Sequence, residues 1–363
     1  MKAIDLFAGC GGLSLGFRQA NFEIIKALEY DENIAATYMN NHKDIPVIVD
    51  DIRNIDIDSI FQKSEADVII GGPPCQGFSM AGARIRQGFI GDPRNYLFKH
   101  YFEIVKKVKP KLFLMENVKG LLTMQKGEIF NEIVNIFGNR SQLEGDVYNI
   151  EHRVVNTMNF GIPQNRERVI IIGALNGKFN LNELFLKTKR DIKKRYPEFF
   201  DSVNVWDALS SLGKDTKSGD VRNMAVESNY QKYLMSNYKE TKNHKATKHS
   251  QKAIDRMKKI KNGKNWTALD EDIKSVHSGA YGRLEKMGVA PTITTRFDTP
   301  SGGNYIHPIE NRTITPREAA RIQSFPDDFI FYGTKSSICR QIGNAVPPKL
   351  SYFLANLVRR IIS

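Results

Sequence analysis

The sequence predicts an α/β fold: a mostly parallel, Rossmann-like sheet with helices on both faces, plus a smaller irregular domain. Over residues 1–175 of the 363, short apolar runs alternate with amphipathic stretches, as they do in strand–helix–strand units. Beyond residue 175 the alternation weakens, while lysine, asparagine and serine become frequent. The first segment therefore has the pattern of a doubly covered sheet, and the second segment has no such pattern.

Each strand is predicted from a short apolar run, and each helix from apolar residues spaced three or four positions apart. The predicted strands are Ala3–Phe7, Ile24–Leu28, Val47–Val49, Val68–Ile70, Lys111–Met115, Tyr148–Val155 and Arg168–Gly173. The predicted helices are Leu13–Gln19, Asn33–Met39, Tyr96–Val108, Ile129–Phe137 and Leu350–Ile362. A further helix is expected to begin after Thr315, because Pro316 and Glu318 complete the pattern of a capped helix start.

These elements divide the chain into three parts. Residues 1–175 form the sheet domain, and residues 176–325 form the second domain together with its hinge. Residues 326–363 end in an apolar helix, which we expect to pack back on the first domain. No internal repeat interrupts this division.

The composition is that of an ordinary soluble protein, with 41% hydrophobic and 26% charged residues. We find no apolar run of about 18 residues and no signal peptide, so we expect a cytoplasmic protein without membrane contact. The three cysteines, Cys10, Cys75 and Cys339, lie far apart in the sequence. They predict neither a disulfide framework nor a metal site, and we expect a monomer in a reducing compartment.

Positive charge is concentrated in one region of the chain. Of the net charge of +13, residues 174–290 contribute 24 Lys or Arg against 14 Asp or Glu, and residues 239–264 contribute 10 against 2. Such a block favours a polyanionic partner. The alternative is a solvated helix face, which the helix-like stretch Ser250–Ile260 allows.

A glycine-rich turn, Asp5–Gly12, follows the first predicted strand and precedes a helix, where backbone N–H groups can approach a ligand. It lacks the G-x-G-x-x-G spacing. Glu29 follows the second strand and suits ribose hydroxyls, Asp51 suits an adenine amino group, and Phe7 and Tyr30 suit the faces of the ring. The candidate contacts are Asp5, Phe7, Gly9, Gly11, Gly12, Glu29, Tyr30 and Asp51. Each alone is compatible with an ordinary loop residue, whereas their combination favours an adenosine-containing cofactor.

A cysteine and a carboxylic acid follow two other strands. Cys75 stands in the turn Gly71–Ser79 after the strand Val68–Ile70, and Glu116 ends the strand that starts at Lys111. Taken alone, Cys75 is as expected for a small buried residue beside a tight turn. A thiol beside a carboxylic acid also suits addition to an electron-poor ring, provided that the surroundings favour the thiolate.

Two arginines and an asparagine complete the candidate residues. Gln164, Arg166 and Arg168 have the spacing of side chains on one face of a strand, and they suit a carbonyl oxygen, a phosphate or Glu116. The alternative is a surface salt-bridge pair. Asn344 lies in the tight segment Gln341–Pro348, where it can contact a ligand or cap the turn.

Taken together, these segments resemble the cytosine-C5 DNA methyltransferases. The matching segments occur in the order that the family has: Asp5–Gly12, Gly72–Ser79, Glu116–Val118, Gln164–Arg168, Arg312–Arg321 and Gln341–Pro348. They cover most of the chain outside residues 174–290, which vary most in this family. Pro-Pro-Cys-Gln, Glu-Asn-Val and Gln-x-Arg-x-Arg in this order are very specific.

The resemblance implies S-adenosylmethionine as the methyl donor and a cytosine that is flipped out of double-stranded DNA. Cys75 is then the nucleophile that adds to C6, Glu116 holds the base, and Arg166 and Arg168 position it. Further cofactor contacts implied by the match are Ile52, Pro73, Leu97 and Asn344. The implied DNA contacts are Gln76, Ser79, Arg84, Arg86, Gln164, Arg283 and Arg296.

The same resemblance makes residues 174–290 the region that recognises the target, and residues 79–95 a loop that closes on DNA. It also implies a restriction–modification system, in which a cognate endonuclease acts on the same site without a stable complex. Three other functions suit parts of the sequence. The long second region argues against an RNA methyltransferase of the related branch, and the intact Cys75 and Glu116 argue against a catalytically inactive DNA-binding module. The missing G-x-G-x-x-G argues against a nicotinamide-dependent oxidoreductase.

Overall fold

The computed structural model describes residues 1–74, 96–235, 240–270, 273 and 278–363. These residues form two compact units. The first unit comprises Met1–Val155, Glu167–Tyr196 and Leu350–Ser363, and the second comprises Asn156–Arg166 and Pro197–Lys349.

A seven-stranded sheet forms the centre of the first unit. Its strands are β1 (Lys2–Leu6), β2 (Glu23–Glu29), β3 (Val47–Val49), β4 (Val68–Gly71), β5 (Leu112–Val118), β6 (Tyr148–Asn156) and β8 (Glu167–Leu175). They are arranged in the order β3-β2-β1-β4-β5-β8-β6. The pairs from β3 to β5 are parallel, and β8 is antiparallel to β5. This arrangement confirms the predicted α/β fold.

Helices cover the sheet of the first unit. They are α1 (Gly12–Gln19), α2 (Glu32–Asn41), α3 (Ile57–Ile60), α4 (Leu97–Val108), α5 (Glu128–Phe137), α6 (Leu181–Arg195) and α12 (Pro348–Ile362), which belongs to this unit from Leu350 onward. Aromatic rings on α4, β5 and α5 form the core between these layers, with the rings of Phe113 and Phe137 4.2 Å apart. Tyr101 packs against the same two rings and is fully buried.

Helix α6 is absent from the sequence-based prediction. Its buried residues are Leu181, Phe185, Thr188 and Ile192, and charged residues fill most of the other positions. The pattern of a narrow stripe in a basic segment is hard to distinguish from an irregular region. Packing against α12, where the rings of Phe185 and Phe353 are 4.8 Å apart, stabilises the helix in the folded protein.

The second unit consists of short elements. Its helices are α7 (Val205–Leu209), α8 (Asn229–Met235), α9 (Gln251–Lys259), α10 (Pro316–Ile322) and α11 (Lys335–Asn344). Strand β7 (Gln164–Asn165) is parallel to β11 (Ala290–Pro291), and β9 (Val221–Arg222) is antiparallel to β10 (Glu240–Thr241). The predicted start of α10 is confirmed, because the side chain of Thr315 and that of Glu318 form a capping box.

Buried arginines connect the short elements and loops of the second unit through hydrogen bonds and ion pairs. Arg312 donates to both carboxylate oxygens of Glu318, at 2.8 Å each. Arg321 binds Asp327, and Arg317 donates to the backbone carbonyls of Lys242, Pro326 and Phe329. Because buried cations need such partners, these contacts fix the loops to which the arginines bind.

The boundaries of the two compact units differ from the boundaries of the predicted domains. The first unit extends to Tyr196, so it includes α6, whereas the sequence places a boundary at residue 175. The assignment of residues 176–325 to target recognition stays a prediction. Among the described residues, no helix combines the length and the apolar character that crossing a bilayer requires.

Candidate active site

The ends of β4 and β5 place Glu116 beside the turn that precedes Cys75. The two strands are parallel, with Gly71 opposite Met115, so both leave the sheet at the same edge. A Cβ atom on Gly72 would lie 3.5 Å from Oε2 of Glu116. The predicted nucleophile Cys75 and the predicted DNA contacts Gln76, Ser79, Arg84 and Arg86 lie outside the described residues, as does the predicted closing loop.

Glu116 forms an ion pair with Arg168. The Nε atom of Arg168 lies 3.0 Å from Oε1 of Glu116, and both side chains are largely buried. The antiparallel pairing of β5 with β8, which sets Val118 opposite Arg168, brings the two residues together. Burial lowers the pKa of Arg168, and the negative charge of Glu116 opposes that shift. The pair is a fixed polar group at the edge of an otherwise apolar sheet.

Asn117 connects the two strand ends, and it is a site residue that sequence reasoning missed as an individual. Its Nδ2 donates to the carbonyl oxygen of Pro73 at 2.9 Å, and its Oδ1 accepts from the backbone N–H of Val118 at 2.8 Å. Both bonds restrict the amide to one orientation. The only signal in the sequence was its place in the segment Glu116–Val118.

The glycine-rich turn is organised around Glu29. The carboxylate accepts from the backbone N–H of Gly9 at 2.9 Å and from that of Asp31 at 3.0 Å. Burial raises the pKa of Glu29, and the two backbone hydrogen bonds oppose the shift. Phe7 has a positive φ of 58°, which is unfavourable for an aromatic residue and is found mostly where the surrounding structure enforces it.

Asp5 lies buried beneath this turn. Its Oδ2 accepts from Ser14 Oγ at 2.6 Å, and the same hydroxyl is 2.7 Å from Tyr38 Oη. The Oδ1 atom is buried without a hydrogen-bond partner among the described residues. Burial is the main cause that raises the pKa of Asp5 to about 7, and Glu29 contributes in the same direction.

The glycines of the turn differ in their surroundings. A Cβ on Gly11 would lie 2.4 Å from Nε2 of His42, and the φ of Gly11 is +96°, so no other residue fits. A Cβ on Gly9 would meet no atom within 4 Å, which leaves open space in front of this residue. Gly12 begins α1 and is buried.

The other predicted cofactor residues of the first unit differ in their exposure. Tyr30 is 59% exposed, while Ile52 and Leu97 are buried in the core. The carboxylate of Asp51 receives bonds from the Arg53 side chain, which lower its pKa. Pro73 contributes the carbonyl that binds Asn117.

Arg166 lies in the second unit, and Arg168 lies in the first. The Arg166 guanidinium donates to the carbonyls of Gly343 and Ala345, at 3.0 and 3.1 Å. These two residues flank Asn344, which is exposed at the last position of α11. The predicted strand through Gln164, Arg166 and Arg168 is interrupted, because β7 ends at Asn165 and β8 begins at Glu167. The three residues are nevertheless less exposed than Asn165 and Glu167 between them.

Two of the predicted DNA contacts, Gln164 and Arg283, form hydrogen bonds within the second unit. The Gln164 amide donates to Gln323 and accepts from the N–H of Ile293, and it is fully buried. The buried Arg283 donates to four backbone carbonyls and to Asn311. Such use of every donor argues against DNA contact by Arg283. Arg296 is exposed, with Asp298 3.5 Å away, and remains available.

The two other cysteines are buried, and burial raises the pKa of both Cys10 and Cys339 to about 12. They are therefore poor nucleophiles near neutral pH. In the described part of the chain, no group of three or more His, Cys, Asp or Glu is placed to hold a metal ion.

The chain is similar to known proteins over almost its whole length. The model of the family described as "C-5 cytosine-specific DNA methylase" matches residues 1–360. The Type II methyltransferase M.DdeI of Desulfomicrobium norvegicum is 33% identical over 381 residues, covering 99% of this chain and 88% of the relative. The Type II methyltransferase M1.HphI of Haemophilus parahaemolyticus is also 33% identical, with coverage of 99% and 86%.

Among solved structures, a putative DNA modification methyltransferase encoded within a prophage of E. coli is similar over almost the full length. Its TM-score is 0.77 at 28% identity, and the match covers 99% of both chains.

Proposed function

The chain belongs to the C-5 cytosine-specific DNA methylase family, and we propose that it methylates cytosine C5 through a covalent adduct with Cys75. The proposed methyl donor is S-adenosylmethionine, and the proposed substrate is one specific cytosine in double-stranded DNA. The observation that carries this proposal is the Glu116–Arg168 ion pair beside the turn that leads to Cys75.

The residues around the glycine-rich turn fit S-adenosylmethionine. Open space lies in front of Gly9, and Tyr30 presents an exposed ring next to the buried Glu29. We propose that Glu29 binds the ribose hydroxyls and that Tyr30 and Phe7 contact the adenine. When bound, S-adenosylmethionine supplies an electrophilic methyl group. The contacts of Asp51, Ile52, Leu97 and Asn344 belong to the same proposal.

In the proposed reaction, the Cys75 thiolate forms a bond from Sγ to C6 of the cytosine, and electron density moves toward C5. Glu116 hydrogen-bonds N3 and the amino group of the base, which stabilises the adduct. Arg168 holds the Glu116 carboxyl in place through the buried ion pair and adds positive charge near the base. C5 would accept the methyl group as its bond to the cofactor sulfur breaks, which leaves S-adenosylhomocysteine. Loss of the C5 proton to water would then restore the C5–C6 double bond and release the Cys75 thiolate from C6.

This chemistry requires that the cytosine leaves the base stack, because C6 is inaccessible within the duplex; extrusion costs a few kcal/mol. The names of the relatives as Type II methyltransferases support a role in a restriction–modification system. We propose that a separate endonuclease reads the same DNA sequence and that methylation protects the host DNA from it.

The test compares the wild-type protein with a Cys75→Ala variant. Bisulfite sequencing of plasmid from an expressing host should show 5-methylcytosine at one recurring sequence with the wild-type protein and none with the variant. DNA binding by the variant, measured by gel mobility shift, should persist. Normal methylation by Cys75→Ala would overturn the mechanism.

An independent measurement detects the adduct itself. Duplex DNA with 5-fluorocytosine at the identified site should stay attached to the wild-type protein in denaturing electrophoresis, because fluorine cannot leave as a proton. The same DNA with Cys75→Ala, and unmodified DNA with the wild-type protein, serve as controls. If active protein forms no stable complex with the fluorinated duplex, thiol addition is excluded.

A further inference from the structure

Helix α6 has positive charges that the fold does not neutralise. Six of its fifteen residues are Lys or Arg, and two are acidic. Both acids already have partners, since Glu183 binds Lys187 at 2.6 Å and Asp191 pairs with Arg360. Four further basic residues are exposed and make no ion pair with any described carboxylate: Arg190, Lys193, Lys194 and Arg195.

The segment that contains α6, residues 167–196, accounts for the net charge of the whole first unit. Residues 167–196 contain eight Lys or Arg and three Asp or Glu. The remainder of the first unit contains twenty of each kind and is neutral. A single segment of excess charge on an otherwise neutral unit is a local attraction for a polyanion.

The charges have a defined orientation, because the opposite side of the helix is fixed. Phe185 and Ile192 are buried, and Phe185 packs against Phe353. Lys187, Arg190 and Lys194 are spaced three and four residues apart, which aligns them on the exposed side. We call Arg190, Lys193 and Lys194 the α6 basic surface.

The end of α6 lies beside the start of α12, which in turn contacts the start of α1. The ring of Tyr196, directly after α6, lies 6.4 Å from that of Tyr352 at the start of α12. The preceding residue, Ser351, donates to the carbonyl of Leu13, which follows the glycine-rich turn Asp5–Gly12.

We propose that the α6 basic surface binds the phosphate backbone of duplex DNA outside the target sequence. This proposal rests on the proposed function, because it assumes a duplex at the active site. Lysines at a helix C-terminus also interact favourably with the helix dipole, but this effect is confined to the last turn and does not account for Arg190. Phosphate contacts predict affinity that is independent of base sequence and sensitive to salt.

The test removes two charges from the exposed side in an Arg190→Gln/Lys194→Gln variant. Binding to a duplex of about 40 base pairs is measured by fluorescence anisotropy at salt concentrations from about 0.05 to 0.3 M. The slope of log Kd against log salt should become shallower by about two, and affinity should fall roughly tenfold at low salt. In methylation assays we expect the loss in KM for DNA rather than in kcat.

Two variants serve as matched controls. Lys43→Gln/Lys63→Gln removes the same charge from exposed loops that join a helix to the next strand, and it should keep the wild-type slope. Arg190→Lys/Lys194→Arg retains the charge of α6 and should also keep the slope. If the wild-type protein methylates DNA but the two glutamine variants have equal slopes, the proposal is overturned. Absence of cytosine methylation by the wild-type protein would instead contradict the proposed function.

Discussion

At the scale of single residues, the site depends on polar groups that are buried in an apolar sheet. Glu116 and Arg168 neutralise each other at 3.0 Å, whereas Asp5 has one carboxylate oxygen without a partner among the described residues. A buried charge without a partner is costly, so these residues respond in different ways to substitution and to pH.

The first residue prediction concerns Glu116→Gln. Glutamine retains the shape but loses the charge beside Arg168 and the acid that we propose to hold the base, so kcat should fall by about 10²- to 10⁴-fold. Methyl transfer to DNA from radiolabelled S-adenosylmethionine measures this change. Glu167→Gln is the control, because Glu167 is an exposed acid on β8, the strand that pairs with β5, and it binds Lys119 at 3.1 Å.

Because Glu116→Gln leaves the Arg168 cation without its partner, thermal unfolding and DNA binding are measured with it. A variant that is folded, binds DNA and methylates at the rate of Glu167→Gln would contradict the role of Glu116.

The second residue prediction concerns the pH dependence of stability. The pKa of Asp5 is raised from 3.8 to about 7 by burial. The folded protein therefore binds this proton more tightly than the unfolded chain, and the free energy of unfolding should fall as pH rises between these values. The slope from one such group reaches about 1.4 kcal/mol per pH unit.

Asp5→Asn should remove this dependence, because an amide does not ionise and its oxygen can still accept from Ser14. Urea unfolding of both proteins at several pH values between 5 and 8 gives the difference in free energy. Glu29 is present in both proteins, so it affects the difference only through its interaction with Asp5. A difference that stays constant with pH would show that Asp5 does not titrate in this window.

At the scale of elements, two strand ends are connected by one amide. Asn117 at the end of β5 donates to Pro73 after β4, in the turn that continues to Cys75. The register of parallel strands sets the height of the two ends, and the amide fixes the turn relative to Glu116. The same sheet has a comparable connection at its opposite edge, where Asn176 accepts from Val147 and donates to Asp146.

Asn117→Ala should leave the Pro73 carbonyl unpaired, at a cost of about 1–3 kcal/mol in stability. We expect kcat to fall by about tenfold or more with little change in KM, because a small displacement of the nucleophile lowers the rate strongly. Asn176→Ala is the matched control, with a loss of stability and near-normal kcat. Equal effects of both variants on kcat would assign Asn117 a purely structural role.

At the scale of the whole molecule, charge is distributed over both units. The basic block at residues 174–290 was interpreted as one recognition region, but residues up to Tyr196 belong to the first unit. The second unit retains the densest part, residues 239–264. Both units therefore have a basic segment that can attract a polyanion, although only the first unit contains the seven-stranded sheet.

Local sequence patterns determined the elements and the family. Apolar runs predicted every strand of the large sheet, most clearly the largely buried β1, β4, β5 and β8. A capping box predicted the start of α10. The motifs identified Glu116 and Glu29 as polar residues at strand ends, since such residues have few other reasons to interrupt an apolar run.

Only the tertiary structure decided which of these residues meet. The antiparallel pairing of β5 with β8 joins Glu116 to Arg168, and the end of β7 separates Arg166 from it. Burial of Arg283 and the assignment of α6 to the first unit also depend on contacts between distant segments. Spacing along a chain defines a face of one element, whereas register, packing and burial between elements define a site, and these are set by the whole fold.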